Sequence, residues 1–190
     1  MADLDAIRRT FEATGLRRAD LDPDPFVQFD RWFVHARDAG LHQPEAFALA
    51  TSPGPGDAGD DVPSVRLVLL RGLDARGFVF FTNRTSRKGD ELAAHPQAGL
   101  VFPWHALGRQ VRATGRVELV GDDESDAYFA TRPRGSQISA WASPQSEAVD
   151  GRADLDRRRA DEERRWADRD VERPPFWGGY RLVPLSLIHI

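Results

Sequence analysis

The stretch QAGLVFPWHALGRQVRATGRVELV, Gln97 to Val120, decides the fold. In its second half Val111, Ala113, Gly115, Val117 and Leu119 alternate with Arg112, Thr114, Arg116 and Glu118. Successive strand side chains point to opposite faces, so this period of two predicts one apolar and one water-facing side. The first half, QAGLVFPWH, is a second strand, and ALG between them is a short reversal of the kind that joins antiparallel neighbours.

Working outward, SVRLVLLRGL and GFVFFTN read as two more strands, separated by the hairpin-type turn DARG. EAFALAT is a short apolar strand, followed by the acidic, turn-rich loop SPGPGDAGDDVP. SRKGDELAAHP is a helix between strands with Ser86 as candidate N-cap. Near the N-terminus, Asp24 and Pro25 open a helix whose Phe26, Phe29, Trp32, Phe33 and Ala36 recur at helical spacing before Gly40. DLDAIRRTFEATG is a short amphipathic helix ending at Gly15. Downstream, DDESDAYFATRP is a helix stopped by Pro133, and PPFWGGYRLVP returns to a strand. GRADLDRRRADEERRWADRD has few apolar anchors, chiefly Leu155 and Trp166, and nearly balanced charges; it reads as a solvated helix held by ion pairs. The sum is α+β: an antiparallel barrel with surrounding helices in one domain. Residues 1–44 supply N-terminal helices, 45–184 the barrel with inserted helices, and 185–190 an atypical tail.

The chain of 190 residues suits one domain with a sizeable core. A net charge of −4 offers no global attraction to nucleic acid or anionic membrane, so any anion site must be a local cluster. The absence of cysteine excludes disulfides and thiolate chemistry. No apolar signal core or membrane-length run is present, so a cytoplasmic protein is expected. Of 26 basic residues one is lysine, Lys88, directly after Arg87.

Three clusters carry candidate chemistry. Arg66 and Arg71 lie five positions apart on one expected strand, facing opposite sides. Arg87 and Lys88 occupy the first turn of a helix, where acids are usual; cations there point to an anion arriving from outside, a compact ammonium suiting a single phosphate oxygen. In the second cluster Tyr128 and Arg132 share a helical face by their i,i+4 spacing, and Arg134 and Ser136 add donors after Pro133. That group either grips a second phosphate or caps a helix end. In the third, Gln137, Gln145 and Ser146 beside Trp141 in SQISAWASPQSE, with Gln110 on its strand, either read the polar edge of a heterocycle or are ordinary loop residues. The five histidines show no ligand spacing, and there is no P-loop, G-x-G-x-x-G or Ser–His–Asp order. Anion donors without a nucleophile point to a cofactor that carries the reaction.

In order, SVRLVLLRG, GFVFFTNRTSRKGDEL, LVFPWHALGRQVRATGRVE, YFATRPRGSQISAWASPQS and PPFWGGYRLVP resemble the blocks of the pyridoxamine 5'-phosphate oxidase family. The resemblance implies a Greek-key split β-barrel that binds FMN at the interface of a homodimer. It implies oxidation of pyridoxamine or pyridoxine 5'-phosphate to pyridoxal 5'-phosphate, with hydride passing to the flavin and O2 reduced to hydrogen peroxide. By motif match the FMN contacts are Arg66, Leu67, Val68, Leu69, Leu70, Phe81, Thr82, Arg87, Lys88, Gln110, Gln145 and Ser146. The substrate contacts are Arg71, Tyr128, Arg132 and Ser136. Two departures stand out. Arg71 replaces a lysine that commonly faces the substrate. After FWGGYRLVP the chain reads LSLIHI, where the family has a Trp-containing strand and an Arg-x-His segment; the expectation is a barrel lacking its final strand, with lower stability and weaker flavin retention. A related flavin oxidase acting on a phenazine precursor, and an FMN-binding protein without turnover, are the alternatives.

Overall fold

The computed structural model describes residues 16–55 and 62–189. The helix expected at Asp3–Gly15 therefore lies outside the described residues, as does most of the acidic loop.

Asp24 accepts hydrogen bonds from the backbone N–H groups of Phe26 and Val27, and Pro25 begins α1 (Pro25–Asp38) as the sequence predicts. The strands are β1 (Ala46–Thr51), β2 (Ser64–Leu69), β3 (Gly72–Asp74), β4 (Gly77–Asn83), β5 (Gln97–Trp104), β6 (Arg109–Leu119) and β7 (Trp177–His189). Between them lie α2 (Arg87–Ala94), α3 (Asp122–Thr131), α4 (Arg134–Ala142) and α5 (Arg152–Arg165). All strand pairs are antiparallel, in the order β2-β1-β5-β6-β7-β4-β3. The α+β class and barrel-like sheet are those expected. Among the described residues no helix is long and apolar enough to cross a membrane.

Gln97–Val120 forms the expected hairpin, from Gln97 opposite Arg116 to Trp104 opposite Arg109. Gly108, at φ 61 in the left-handed region, closes its 3-10 turn. Val111, Ala113 and Val117 point to the core, but Leu119 is 63% exposed, because the alternation ends at Val117 and both Glu118 and Leu119 face solvent.

SVRLVLLRGL is not one strand paired with GFVFFTN. The Leu70 N–H donates to the Glu45 carbonyl (2.9 Å), whereas the Arg71 N–H donates to the Val79 carbonyl (2.8 Å). The chain changes partners between these residues: β2 goes to β1 and β3 pairs with β4. Since β2 and β3 are the two ends of the sheet order, this joint draws the ends together and curls the sheet. Arg66 and Arg71 consequently do not share a strand.

Two further expectations change. Pro133 stops α3 but also starts α4, its carbonyl accepting from the N–H groups of Ser136 (2.7 Å) and Gln137 (3.1 Å), so much of SQISAWASPQSE is helical. In the tail, Leu185–His189 are not outside the barrel: they continue β7, with Ser186–His189 opposite Val111–Thr114. The β4 ladder accompanies β7 from Trp177 to Leu182.

Inside the curl, Phe29 of α1 meets Phe78 at 5.1 Å and Phe102 at 4.9 Å between ring centroids, with Phe47, Phe80 and Leu182 around them. A second cluster, Phe129, Ile138, Trp166, Val171 and Trp177, fixes the α3–α5 lobe against the start of β7. A hollow opens between this lobe and β2 and β4.

Candidate functional site

The hollow has a volume of about 630 Å³ and brings together residues from five separate parts of the chain. From the expected cofactor set it contains Leu67, Val68, Leu69, Phe81, Thr82, Lys88 and Gln145; from the substrate set it contains all of Arg71, Tyr128, Arg132 and Ser136. Arg87 and Ser146 line a neighbouring hollow of about 490 Å³, and Gln145 borders both. Leu70 belongs to the hydrophobic core. Gln110, opposite Pro103 on β6, shares by alternation the outer face of the sheet with Arg112 and Thr114, and it does not line the hollow. Gln137 is not a ligand-reading amide here: its Nε2 donates to the Phe129 carbonyl (3.0 Å) and ties α4 to α3.

Lys88 does not project outward from the first turn of α2. It is 6% exposed, and its Nζ donates to Thr82 Oγ1 (3.0 Å), Ser86 Oγ (2.8 Å) and Gln145 Oε1 (2.8 Å). Ser86 makes no side-chain cap; its hydroxyl donates to the Asn83 carbonyl and accepts from Lys88. Three neutral oxygens hold this ammonium with no carboxylate bonded to it. Burial, and secondarily the charge of Arg66, pull its pKa from the ordinary lysine value of 10.5 to about 8, with Glu91 opposing them. A compact ammonium fits this three-oxygen corner; a planar guanidinium would not.

Below it lies a group the sequence did not reveal. Glu91 is 5% exposed and accepts from the Thr51 hydroxyl, the Ser64 hydroxyl (2.8 and 2.6 Å), Arg66 Nη2 (3.1 Å) and Arg87 Nε (2.8 Å). Burial works to raise its pKa, but these bonds outweigh burial and bring it to about 2. Local sequence contained one signal, the i,i+4 spacing of Arg87 and Glu91, which on a solvated helix carries little information. Arg66 thus belongs to a buried network, with Nη1 also on the Leu49 carbonyl (3.2 Å) and on Thr51, and Nη2 on Ser64.

At the other end, Arg132 stands at the C-cap of α3 in extended backbone (φ −71, ψ 145), so its approach to Tyr128 does not come from a shared helical face. Its guanidinium lies over the Trp177 ring at 4.7 Å and near Phe129 at 5.5 Å, and Nη1 is buried without a hydrogen-bond partner. Burial lowers its pKa, Tyr128 opposes this, and Arg71 adds to it. Arg71 approaches Glu45 at 4.0 Å. Arg134, expected to add a donor, turns away to the carbonyls of Trp166 and Arg169. Between the two cationic ends, Phe81 stacks on Tyr128 at 4.1 Å and on Trp177 at 5.4 Å, with planes within 17°.

Among the described residues lining the hollow there are three cations, Arg71, Lys88 and Arg132, and no Asp or Glu. Such a site suits a ligand that is flat and anionic. Among the described residues no cluster of three or more metal-ligating side chains occurs.

A family model described as pyridoxamine 5'-phosphate oxidase matches residues 33–167. A Rubrobacter xylanophilus protein named pyridoxine/pyridoxamine 5'-phosphate oxidase is 52% identical over 182 residues, covering 96% of this chain and 82% of its own length. Its namesake from Cupriavidus taiwanensis is 52% identical over 187 residues, covering 98% and 85%. Among solved structures, PhzG from Burkholderia lata 383, in complex with tetrahydrophenazine-1-carboxylic acid, superimposes with a TM-score of 0.83 at 28% identity, covering 94% of this chain and 86% of its own. A pyridoxamine 5'-phosphate oxidase-related, FMN-binding protein from Nostoc punctiforme PCC 73102 superimposes with a TM-score of 0.66 at 17% identity, covering 87% and 83%, a likeness of fold.

Proposed function

Because this chain belongs to the pyridoxamine 5'-phosphate oxidase family, we infer that it is an FMN-dependent enzyme oxidising pyridoxine or pyridoxamine 5'-phosphate to pyridoxal 5'-phosphate. The observation that carries this reading is the pair of cationic ends facing one carboxylate-free hollow. Two phosphorylated, flat ligands need two anion sites and aromatic surface between them.

The residues present fit both ligands. The orphaned Arg132 Nη1, beside Tyr128 and Ser136, is a buried donor lacking an acceptor, as a phosphate site requires. Lys88 is a buried cation satisfied by neutral oxygens alone, and with Arg66 and Arg87 it forms the candidate site for the FMN phosphate. The chemistry that FMN supplies when bound is acceptance of two electrons from the substrate carbon and their passage to dioxygen, giving hydrogen peroxide. Protein groups bind and orient. The Arg132 guanidinium sits over the Trp177 ring, Phe81 and Tyr128 are stacked with nearly parallel rings, and Arg71 places a further cation in the hollow.

A homodimer belongs to the same reading. Gln110, a matched cofactor position, does not line its own hollow, so in this reading it serves a cofactor held by a second copy. The row Leu67, Ala48, Val101, Arg112 and Ile188 runs across the same outer face, and Val65 and Leu67 are 66% and 71% exposed there.

The test is an anaerobic titration of the FMN-loaded protein with pyridoxine 5'-phosphate, following visible flavin absorption. Bleaching that air reverses is expected. Flavin that stays bound and oxidised would leave an FMN-binding protein without turnover on this substrate. Bleaching by a dihydrophenazine carboxylate alone would favour the PhzG-like reading.

A further inference from the structure

Glu91 is the buried ionised group that the proposed function leaves without a task. A carboxylate beside a phosphate site is unfavourable by charge alone, and its four donors, Thr51, Ser64, Arg66 and Arg87, come from three different elements. We propose that Glu91 is a positioning residue of the FMN phosphate subsite, pinning the guanidinium groups of Arg66 and Arg87 in the orientations that receive the phosphate. The inference rests on the FMN reading given above.

Two features support it. Arg87, which lines the second hollow, places its Nε–H on Glu91 Oε1, and this orients a side chain that is otherwise largely exposed and leaves its two terminal amino groups for a ligand. Arg66 is held more completely: its Nη groups reach Leu49, Thr51, Ser64 and Glu91, so that among the described residues Nε–H remains as its uncommitted donor. Arg66, Arg87 and Lys88 gather three positive charges, but Asp90 and Glu147 line the second hollow beside Glu91, so holding a phosphate dianion there depends on how the guanidinium groups are oriented and not on net charge alone. Without Glu91, Arg87 loses the bond that orients it and Arg66 keeps only its neutral partners Leu49, Thr51 and Ser64.

Positioning and simple Coulomb attraction predict opposite signs. If only charge mattered, Glu91→Gln would remove a repulsive carboxylate and tighten FMN. Pinned arginines predict the reverse, because glutamine presents one acceptor oxygen and one NH2 donor to four donors. Apo wild type and Glu91→Gln are titrated with FMN and with riboflavin, which lacks the phosphate, by quenching of flavin fluorescence. The expected result is about tenfold weaker FMN binding, the scale of one lost charge-assisted hydrogen bond, with riboflavin affinity unchanged. Equal loss for both flavins would reveal a merely structural role, and unchanged or tighter FMN binding would leave Coulomb attraction alone; either overturns the proposal. Should Glu91→Gln unfold at the assay temperature, Glu91→Asp carries the same test: its charge is kept, its reach is one methylene shorter, and the loss specific to FMN is again expected. Wild type that does not favour FMN over riboflavin would instead overturn the FMN reading itself.

Discussion

In the proposed FMN phosphate site, Lys88 contributes an ammonium whose pKa is lowered to about 8. A bound phosphate raises that pKa, so its share of the affinity is fully present below the free-protein value of about 8 and is lost progressively as pH rises from there through the higher value of the complex. The phosphate's own second ionisation is complete by then. FMN affinity should thus be flat from neutrality to pH 8, then fall with a slope approaching about tenfold per pH unit; Lys88→Met should bind FMN more weakly and lose that slope. Fluorescence titrations across pH 7 to 10 check both. Composition singled this lysine out, but its inward direction depends on Gln145, 57 positions away, and on Ser86 and Thr82 being drawn beneath it. Glu91 was illegible for a similar reason: Thr51 and Ser64 reach it through sheet pairing that no local spacing records. Tyr128, Arg132 and Ser136 line one hollow, although the helical face invoked for them ends one residue before Arg132.

At the scale of elements, the β6–β7 ladder depends on one close approach. A register shift falls between Thr114 and Gly115, and a Cβ on Gly115 would overlap the Val183 carbonyl oxygen. Gly115→Ala must push the two strands apart, at a cost of about 2–4 kcal/mol. Thermal unfolding should show a melting temperature lower by about 5–15 °C, with the greatest loss of amide protection at Ser186–His189. The hairpin itself was readable from its period of two, as α1 was from its cap and apolar spacing. The partner change at Leu70–Arg71 was not, since LVLLRG is an unbroken run whose break is imposed by curling of the whole sheet. Nor was α4, because Pro133 reads equally well as the end of one helix and the start of another.

For the whole molecule, the proposed homodimer would tie assembly to cofactor binding through the outer sheet face, where Val65, Leu67 and Ile188 are exposed. Val65→Arg sets a charge on that face without touching the hollow. Sedimentation should show a dimeric wild type and a monomeric variant of similar melting temperature, with FMN bound more weakly by the monomer because Gln110 then comes from no second copy. A wild type that sediments as a monomer would refute the assembly. The sheet order has a consequence in time as well. β7 is the last strand of the sequence yet stands between β6 and β4, so β4, complete at Asn83, waits for Trp177 and beyond before its second ladder forms. At synthesis rates of about 5–20 residues per second that delay is roughly 5–20 s, far longer than hairpin formation. Throughout it the nascent chain carries GFVFFTN, almost wholly buried in the finished fold, with one edge unclaimed. On the ribosome, keeping that segment from other chains is a task the native structure takes over only when its final strand arrives.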